Sequence, residues 1–290
     1  MKRVLIVCLL LAGQAWGQDS LTIRQPPPAQ RLKPMPLQPT TPARRYIATG
    51  MVGALLGGSL ISSYFDWWQG ADRKFHTSDD GMFNNYSLGI DKAGHAYTSY
   101  FYFHTFHNVM RWGGYDERTA RWWAFGTAAF FAVSIEVGDG LSDFGFSFGD
   151  LGFNMAGLGY GLAQTYVPFL RNFNLKWSYV PQEGYRWPPR FTEHYDAHIY
   201  WLTVNVHNLL PDDARPWWPE FLQLAVGYGV DEKQTRREGF IGLDLNLRVF
   251  RPTQPDLRLL VQTVDLFHIP MPGIKTTGGR SPRYQWIVWN

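Results

Sequence analysis

The sequence predicts an α+β fold: a Gly-rich, aromatic-rich helical bundle of about four helices, followed by a small antiparallel β region packed on it. Three observations carry this. Four stretches are long, apolar and nearly uncharged, each bounded by turn or capping signals. Beyond residue 172 the apolar period drops from about 3.6 residues to two. Finally, 17% of the 290 residues are Phe, Trp or Tyr while only 18% are charged, a balance that favours a membrane or membrane-facing surface over an ordinary cytosolic enzyme. The net charge of +3 comes without a dense Lys/Arg run, which argues against a nucleic-acid partner.

The first residues divide the chain. Met1-Lys2-Arg3, an apolar run over 4–12 and the small residues around Ala15-Trp16-Gly17 predict a signal peptide over 1–17, too short to span a bilayer, with maturation near Gln18. Cys8, the only cysteine, lies in the signal core without a lipid-attachment context, so the mature chain is expected to carry no disulfide, thiolate metal site or Cys nucleophile. Residues 18–45 hold recurrent prolines and read as an extended tether.

Residues 46–171 form the predicted helical domain. Residues 46–65 are uncharged and contain Gly53-x-x-x-Gly57, which suits either a bilayer crossing or a buried hairpin helix. Arg73 and Lys74 after this stretch do not exceed Arg44 and Arg45 before it, so the positive-inside bias of an inner-membrane crossing is missing. A polar segment with Asp79-Asp80-Gly81 and Asn84-Asn85 turns follows, then helices over 91–110, 116–137 and 150–169, with a Gly-rich loop over 138–149.

Residues 172–290 form the second region. An aromatic, Pro-rich crossover is expected over 177–190. Alternation over 241–249 and 222–228 predicts a hairpin with its turn in 231–238 and one dry and one wet face. Residues 198–207 suit a strand or a short helix, and 257–267 an amphipathic helix. Two or three strands cannot close a barrel, so this region is expected to pack on the helices.

Polar residues inside the apolar helices mark the candidate site, because burying them is costly unless they pair. Asp91 and His95 are four apart and share a helix face, with Lys92 beside them; Glu136 and Asp139, three apart, share another; Asp150, Asn154 and Gly157 form a third stripe. Three stripes on three helices can converge. His95, Glu136 and Asp150 are the catalytic candidates, His95 as an oriented base and the carboxylates as acids or cation ligands. Asp91, Lys92, Asp139 and Asn154 are the ligand-binding candidates, with Lys92 suited to an anionic group. Glu136, Asp139 and Asp150 could hold a hard cation, but no metal or cofactor is specified. The same residues suit structural ion pairs and caps about equally well, and Asp150 also suits an N-cap. His104 and His107 lack a third zinc ligand at standard spacing. Gly157-x-x-x-Gly161 reads as helix packing, and Trp122-Trp123 and Trp217-Trp218 as boundary anchors or core.

The motifs Asp91-Lys92-Ala93-Gly94-His95, Glu136-Val137-Gly138-Asp139-Gly140 and the run over 150–157 resemble the YfiM-like family of predicted periplasmic lipoproteins, a family of unknown function. Tyr200-Trp201-Leu202, Ala225-Val226-Gly227-Tyr228-Gly229 and Gly242-Leu243-Asp244-Leu245 extend the resemblance. More distantly, Asp-Lys-x-x-His, a middle Glu and Asp-x-x-x-Asn-x-x-Gly look like VanZ-like membrane proteins. The Gln and Arg of that pattern are absent here, with Asp139 and Ser147 near their places. The resemblance implies an exported protein of the cell envelope, facing the periplasm and associated with the inner or outer membrane.

Two functions compete. One is an envelope protein of unassigned activity, its partners membrane or envelope components. The other is an enzyme acting on a lipid-linked or phosphorylated envelope substrate.

Overall fold

The computed structural model describes residues 41–71, 73–79, 81–84, 86–181 and 194–288. The signal segment with Cys8, the tether up to residue 40 and most of the 177–190 crossover lie outside the described residues.

Helix α1 (Pro42–Ser63) starts earlier than predicted, because Thr41 caps it by accepting from the Arg44 amide and Pro42 supplies a preset φ at the first helical position. It ends in a single π-helical turn, Tyr64–Trp68. Helices α2 (Ile90–Trp112), α3 (Glu117–Gly140) and α4 (Phe148–Tyr166) fall where the apolar runs place them. Gly113 and Gly114 then turn the chain, and Asp116 opens α3 by accepting from the Thr119 amide. A two-residue parallel pair, β1 (Thr77–Ser78) with β2 (Phe146–Ser147), pins the loop after α3 to the segment after α1.

Helix α2 is the central element. Its Tyr102, Phe103 and Phe106 form a core with Ala124, Ala128, Phe131 and Ile135 of α3 and Leu158 of α4, over which Val52, Leu56 and Leu60 of α1 pack. Ala120, Ala124, Ala128 and Ala132 recur every four residues on the buried side of α3, so the helix can approach closely. Helix α4 comes closer still. A Cβ at Gly157 would stand 1.8 Å from the Ala96 carbonyl oxygen, so only glycine permits this crossing.

The β region is larger than the predicted hairpin. Strands β3 (Phe173–Tyr179), β4 (His198–Val204), β5 (Leu222–Val230), β6 (Arg237–Leu245), β7 (Gly273–Thr277) and β8 (Arg283–Gln285) form one six-stranded antiparallel sheet in sequence order. Trp177 therefore belongs to a strand and not to a crossover. Residues 198–207 resolve into β4 and the short helix α5 (Val206–Leu209), and the amphipathic helix is α6 (Pro255–Val264). The sheet packs on α2, where Tyr97 meets the rings of Trp177 and Tyr200 and donates to the Leu266 carbonyl at 2.8 Å.

The expected dry and wet faces are inverted. Leu202, Val226, Ile241, Ile274 and Tyr284 lie in register across five strands on the more exposed face. Lys176, Gln223, Glu238 and Asp244 lie on the buried one. The buried face curves around Leu266 to His268, with Phe267 bridged to Trp177 and the His268 ring stacked on Trp201 at 3.9 Å. Buried charges are tolerated because they pair: Lys176 Nζ stands 2.7 Å from Asp244 and 3.0 Å from Asp265, and Arg248 reaches Asp265 at 2.7 Å.

Candidate functional site

Three helix ends converge. The first turns of α2 carry Asp91, Lys92 and His95, the last turns of α3 carry Glu136 and Asp139, and the first turns of α4 carry Asp150 and Asn154. Gly89, in the left-handed region at φ 86°, turns the chain into α2. Ser147, not Asp150, caps α4, its Oγ accepting from the Asp150 amide at 3.2 Å. Ser147-x-x-Asp150 follows the capping-box spacing, which was a readable signal. Relieved of capping, the Asp150 side chain turns inward to Lys92.

The Lys92 ammonium, buried to 1%, lies 2.6 Å from Asp150 Oδ1 and 3.3 Å from Asp91 Oδ2. His95 faces three carboxylates: Nε2 is 3.6 Å from Asp91 and 3.7 Å from Asp150, and Nδ1 is 3.4 Å from Glu136. Asn154 binds between helices. Its Oδ1 accepts from Ser99 at 2.8 Å, which aims Nδ2 at Glu136 Oε1, 3.0 Å away, and at His95 Nδ1, 3.1 Å away.

Asp139 stands at the edge of this group, near enough to raise Glu136 but hydrogen-bonded elsewhere. Trp68 Nε1 donates to it at 2.8 Å, and the Trp68 ring fills the space over Gly138. Asp143, in the loop after α3, forms an exposed ion pair with Arg73. The cation set inferred from sequence, Glu136 with Asp139 and Asp150, shares only Asp150 with the grouping of Asp91, His95 and Asp150, whose ligand atoms lie within 4.8 Å of one another. Lys92 already supplies positive charge to two of these three residues. His104 and His107 point to separate partners, Gln164 at 2.9 Å and Glu117 at 3.1 Å.

Sequence reasoning missed Trp68, Ser99 and two tyrosines. Tyr195 Oη donates to Asp91 Oδ1 at 3.4 Å and lies 3.2 Å from Tyr86 Oη. The Tyr200 hydroxyl packs over Gly94, where a Cβ would meet it at 2.9 Å. These tyrosines come from loops and strands distant in the chain, so no local spacing announced them.

The site holds more carboxylates than cations, and Asp91, Glu136 and Asp139 are all shifted toward their protonated forms. Burial raises Glu136 to about 7, with Asp150 and Asp139 adding to the shift against the pull of His95. Burial likewise raises Asp139 to about 6, opposed by the Trp68 hydrogen bond. Asp91 is raised mainly by burial. For His95, burial disfavours the charge, but Asp91, Asp150 and Glu136 together outweigh it and raise the imidazole. Asn154, however, presents an N–H to His95 Nδ1, which favours a neutral ring with its lone pair there. The carboxylates favour the imidazolium, and their pull prevails in raising the imidazole.

Residues 79–165 match the family described as predicted periplasmic lipoprotein (DUF2279), a family of unknown function, and the matched segment contains the whole helical part of the cluster. The match carries the periplasmic-lipoprotein part of the resemblance and neither of the finer names, YfiM-like or VanZ-like. No curated protein matches the chain. No solved structure matches it. The family match is consistent with an exported protein of the cell envelope.

Proposed function

We propose that this envelope protein works at a membrane surface and that its buried cluster receives the polar group of a lipid-linked or phosphorylated envelope component. His95 acts as the proton-transferring group, Glu136 and Asp150 as acids, and Lys92 as the counter-charge for an anion. The observation that carries the reading is His95 set among Asp91, Glu136 and Asp150 at 3.4–3.7 Å, beside a buried lysine, where helices from separate parts of the chain meet. The residues of the Asp-Lys-x-x-His and Asp-x-x-x-Asn-x-x-Gly motifs, which resemble VanZ-like and YfiM-like proteins, lie at or beside this cluster, which favours a site over incidental packing. One helix among the described residues, spanning Pro42–Trp68, is long and apolar enough to cross a membrane, and little of it is buried.

A structural role is the second reading, favoured by Lys92 pairing with both Asp91 and Asp150. Comparing His95→Ala, Glu136→Gln and Asp150→Asn in cells separates the two. The proposal expects at least one variant that melts like the wild type yet changes the profile of lipid-linked phosphorylated envelope species. Variants that lose melting temperature while the lipid profile stays unchanged would leave the structural role alone.

A further inference from the structure

The outward faces of α1, α3 and α4 have no charge at mid-height. Residues 46–65, 122–135 and 151–170 contain no Asp, Glu, Lys or Arg. Along α3 the exposed stripe is Trp122, Trp123, Gly126, Phe130, Val133 and Val137, with Trp123 63% and Phe130 58% exposed. At a rise of about 1.5 Å per residue this stripe runs for about 22 Å. A soluble helix would carry its polar residues on this side. Gly50, Gly53, Gly57, Gly126, Gly152 and Gly159 meet nothing within 4 Å, so their small size serves no contact within the described chain.

The faces of α1 and α3 end at common levels. Arg45 reaches the Gly114 carbonyl just before α3 at one end, and Trp68 reaches Asp139 at the other. The first end is a belt of arginines on aromatic rings: Arg44 over Trp112 at 4.8 Å, Arg45 over Tyr115 at 5.4 Å and Arg121 over Tyr166 at 4.3 Å. Arg44 also pairs with Asp256 and Arg121 with Glu117, so exposed Arg45 and Arg118 carry most of the belt's charge outward. Exposed Arg118 sits one helical turn before Trp122. The second end exposes Tyr64, Phe65, Phe144 and Phe148 beside Asp66 and Asp143. Aromatic rings at both limits of an apolar zone, with arginines at one, mark a bilayer interface. Between α1 and α3, Leu56, Trp122, Trp123, Gly126, Thr127 and Phe130 line an apolar groove of about 430 Å³, open outward and suited to an acyl chain.

We infer that these three helix faces form one lipid-contact face that seats in a bilayer, with the arginine end against anionic head groups and an acyl chain in the α1/α3 groove. The charge of the rim selects the occupant: a second copy of this chain would bring a like arginine belt, whereas anionic lipid neutralises it. The sheet, whose edge strands need water or a partner, stays outside the hydrocarbon. This shares with the proposed function only the membrane location. The face and the polar cluster are distinct residues and can fail separately.

The test is flotation of the purified full chain with phosphatidylcholine vesicles, with and without phosphatidylglycerol. The chain should float with both and bind about tenfold more tightly when phosphatidylglycerol is present. Brominated acyl chains should quench tryptophan fluorescence, and Trp122→Phe with Trp123→Phe should remove most of that quenching. The exposed double variant Trp123→Asp with Phe130→Asp should keep its circular dichroism and lose about tenfold or more in lipid binding. Arg118→Glu should abolish part of the preference for anionic lipid, and His95→Ala should float like the wild type. A full chain that stays below both vesicle types, or a dimer that Trp123→Asp with Phe130→Asp converts to monomers without altering flotation, would overturn the inference.

Discussion

Asn154 of α4 donates from Nδ2 to Glu136 of α3 at 3.0 Å, and Ser99 of α2 fixes the orientation of that amide. One side chain thus binds three helices at the depth where Glu136 is only 1% exposed. Asn154→Leu should cost about 2–4 kcal/mol, because it leaves Ser99 and Glu136 without this partner in a buried site. Asn154→Asp should cost at least as much at pH 8 and less at pH 5, where the new carboxyl can hold a proton. Urea denaturation at the two pH values checks this; a loss under 0.5 kcal/mol for both variants would show that the amide is not needed.

The protonation balance sets a pH dependence. Glu136, Asp139, Asp91 and His95 all have folded-state pKa values raised above their ordinary ones. Their contribution is therefore fully present at low pH and is lost as pH rises through the folded values, about 6 for Asp139 and about 7 for Glu136. Between pH 5 and 8 the fold should lose on the order of 2–3 kcal/mol from Glu136 alone. Glu136→Gln, which stays neutral, should flatten that slope in thermal melts. An identical slope in the variant would assign the dependence elsewhere.

Two glycines of α4 make a paired test of packing. Gly157→Ala drives a methyl into the Ala96 backbone, so it should separate α2 from α4 and cost about 3 kcal/mol or more, a large single-site loss. Gly152→Ala meets nothing within 4 Å and should be neutral or stabilising by up to about 1 kcal/mol through helix propensity. Comparable melting temperatures for the two variants would contradict the close crossing.

Lys176 holds two buried aspartates on the concave side of the sheet. Lys176→Met should cost about 3–5 kcal/mol by stranding Asp244, while Asp265 keeps Arg248, and adding Asp244→Asn should recover part of the loss. Strictly additive losses in a double-mutant cycle would show that the pair does not couple.

Helical periodicity placed α2, α3 and α4 within a few residues because it is a local property, written in the apolar runs and in caps such as Asp116. The candidate cluster was legible for a similar reason. Asp91 and His95, and Asp150 and Asn154, are each one turn apart on a helix that is otherwise apolar. Trp68 and Tyr195 gave no such sign, since each reaches the site across a separation no local pattern spans, whereas Ser99, one turn beyond His95 on the same helix, could have been read from the spacing. Asp139, placed beside Glu136 by its spacing, does act on Glu136, but the tryptophan that holds it comes from another segment and gave no local sign.

The amino-acid order by itself determined where the helices and the β5–β6 hairpin form and which polar residues would have to find partners away from water. Only the tertiary structure decided which side of the sheet is inside. Alternation states which residues share a face, but the inward direction is a property of curvature. Here the segment after α6 lies on the side of Lys176 and Asp244, where oppositely charged groups neutralise one another, and so leaves the aliphatic row outside.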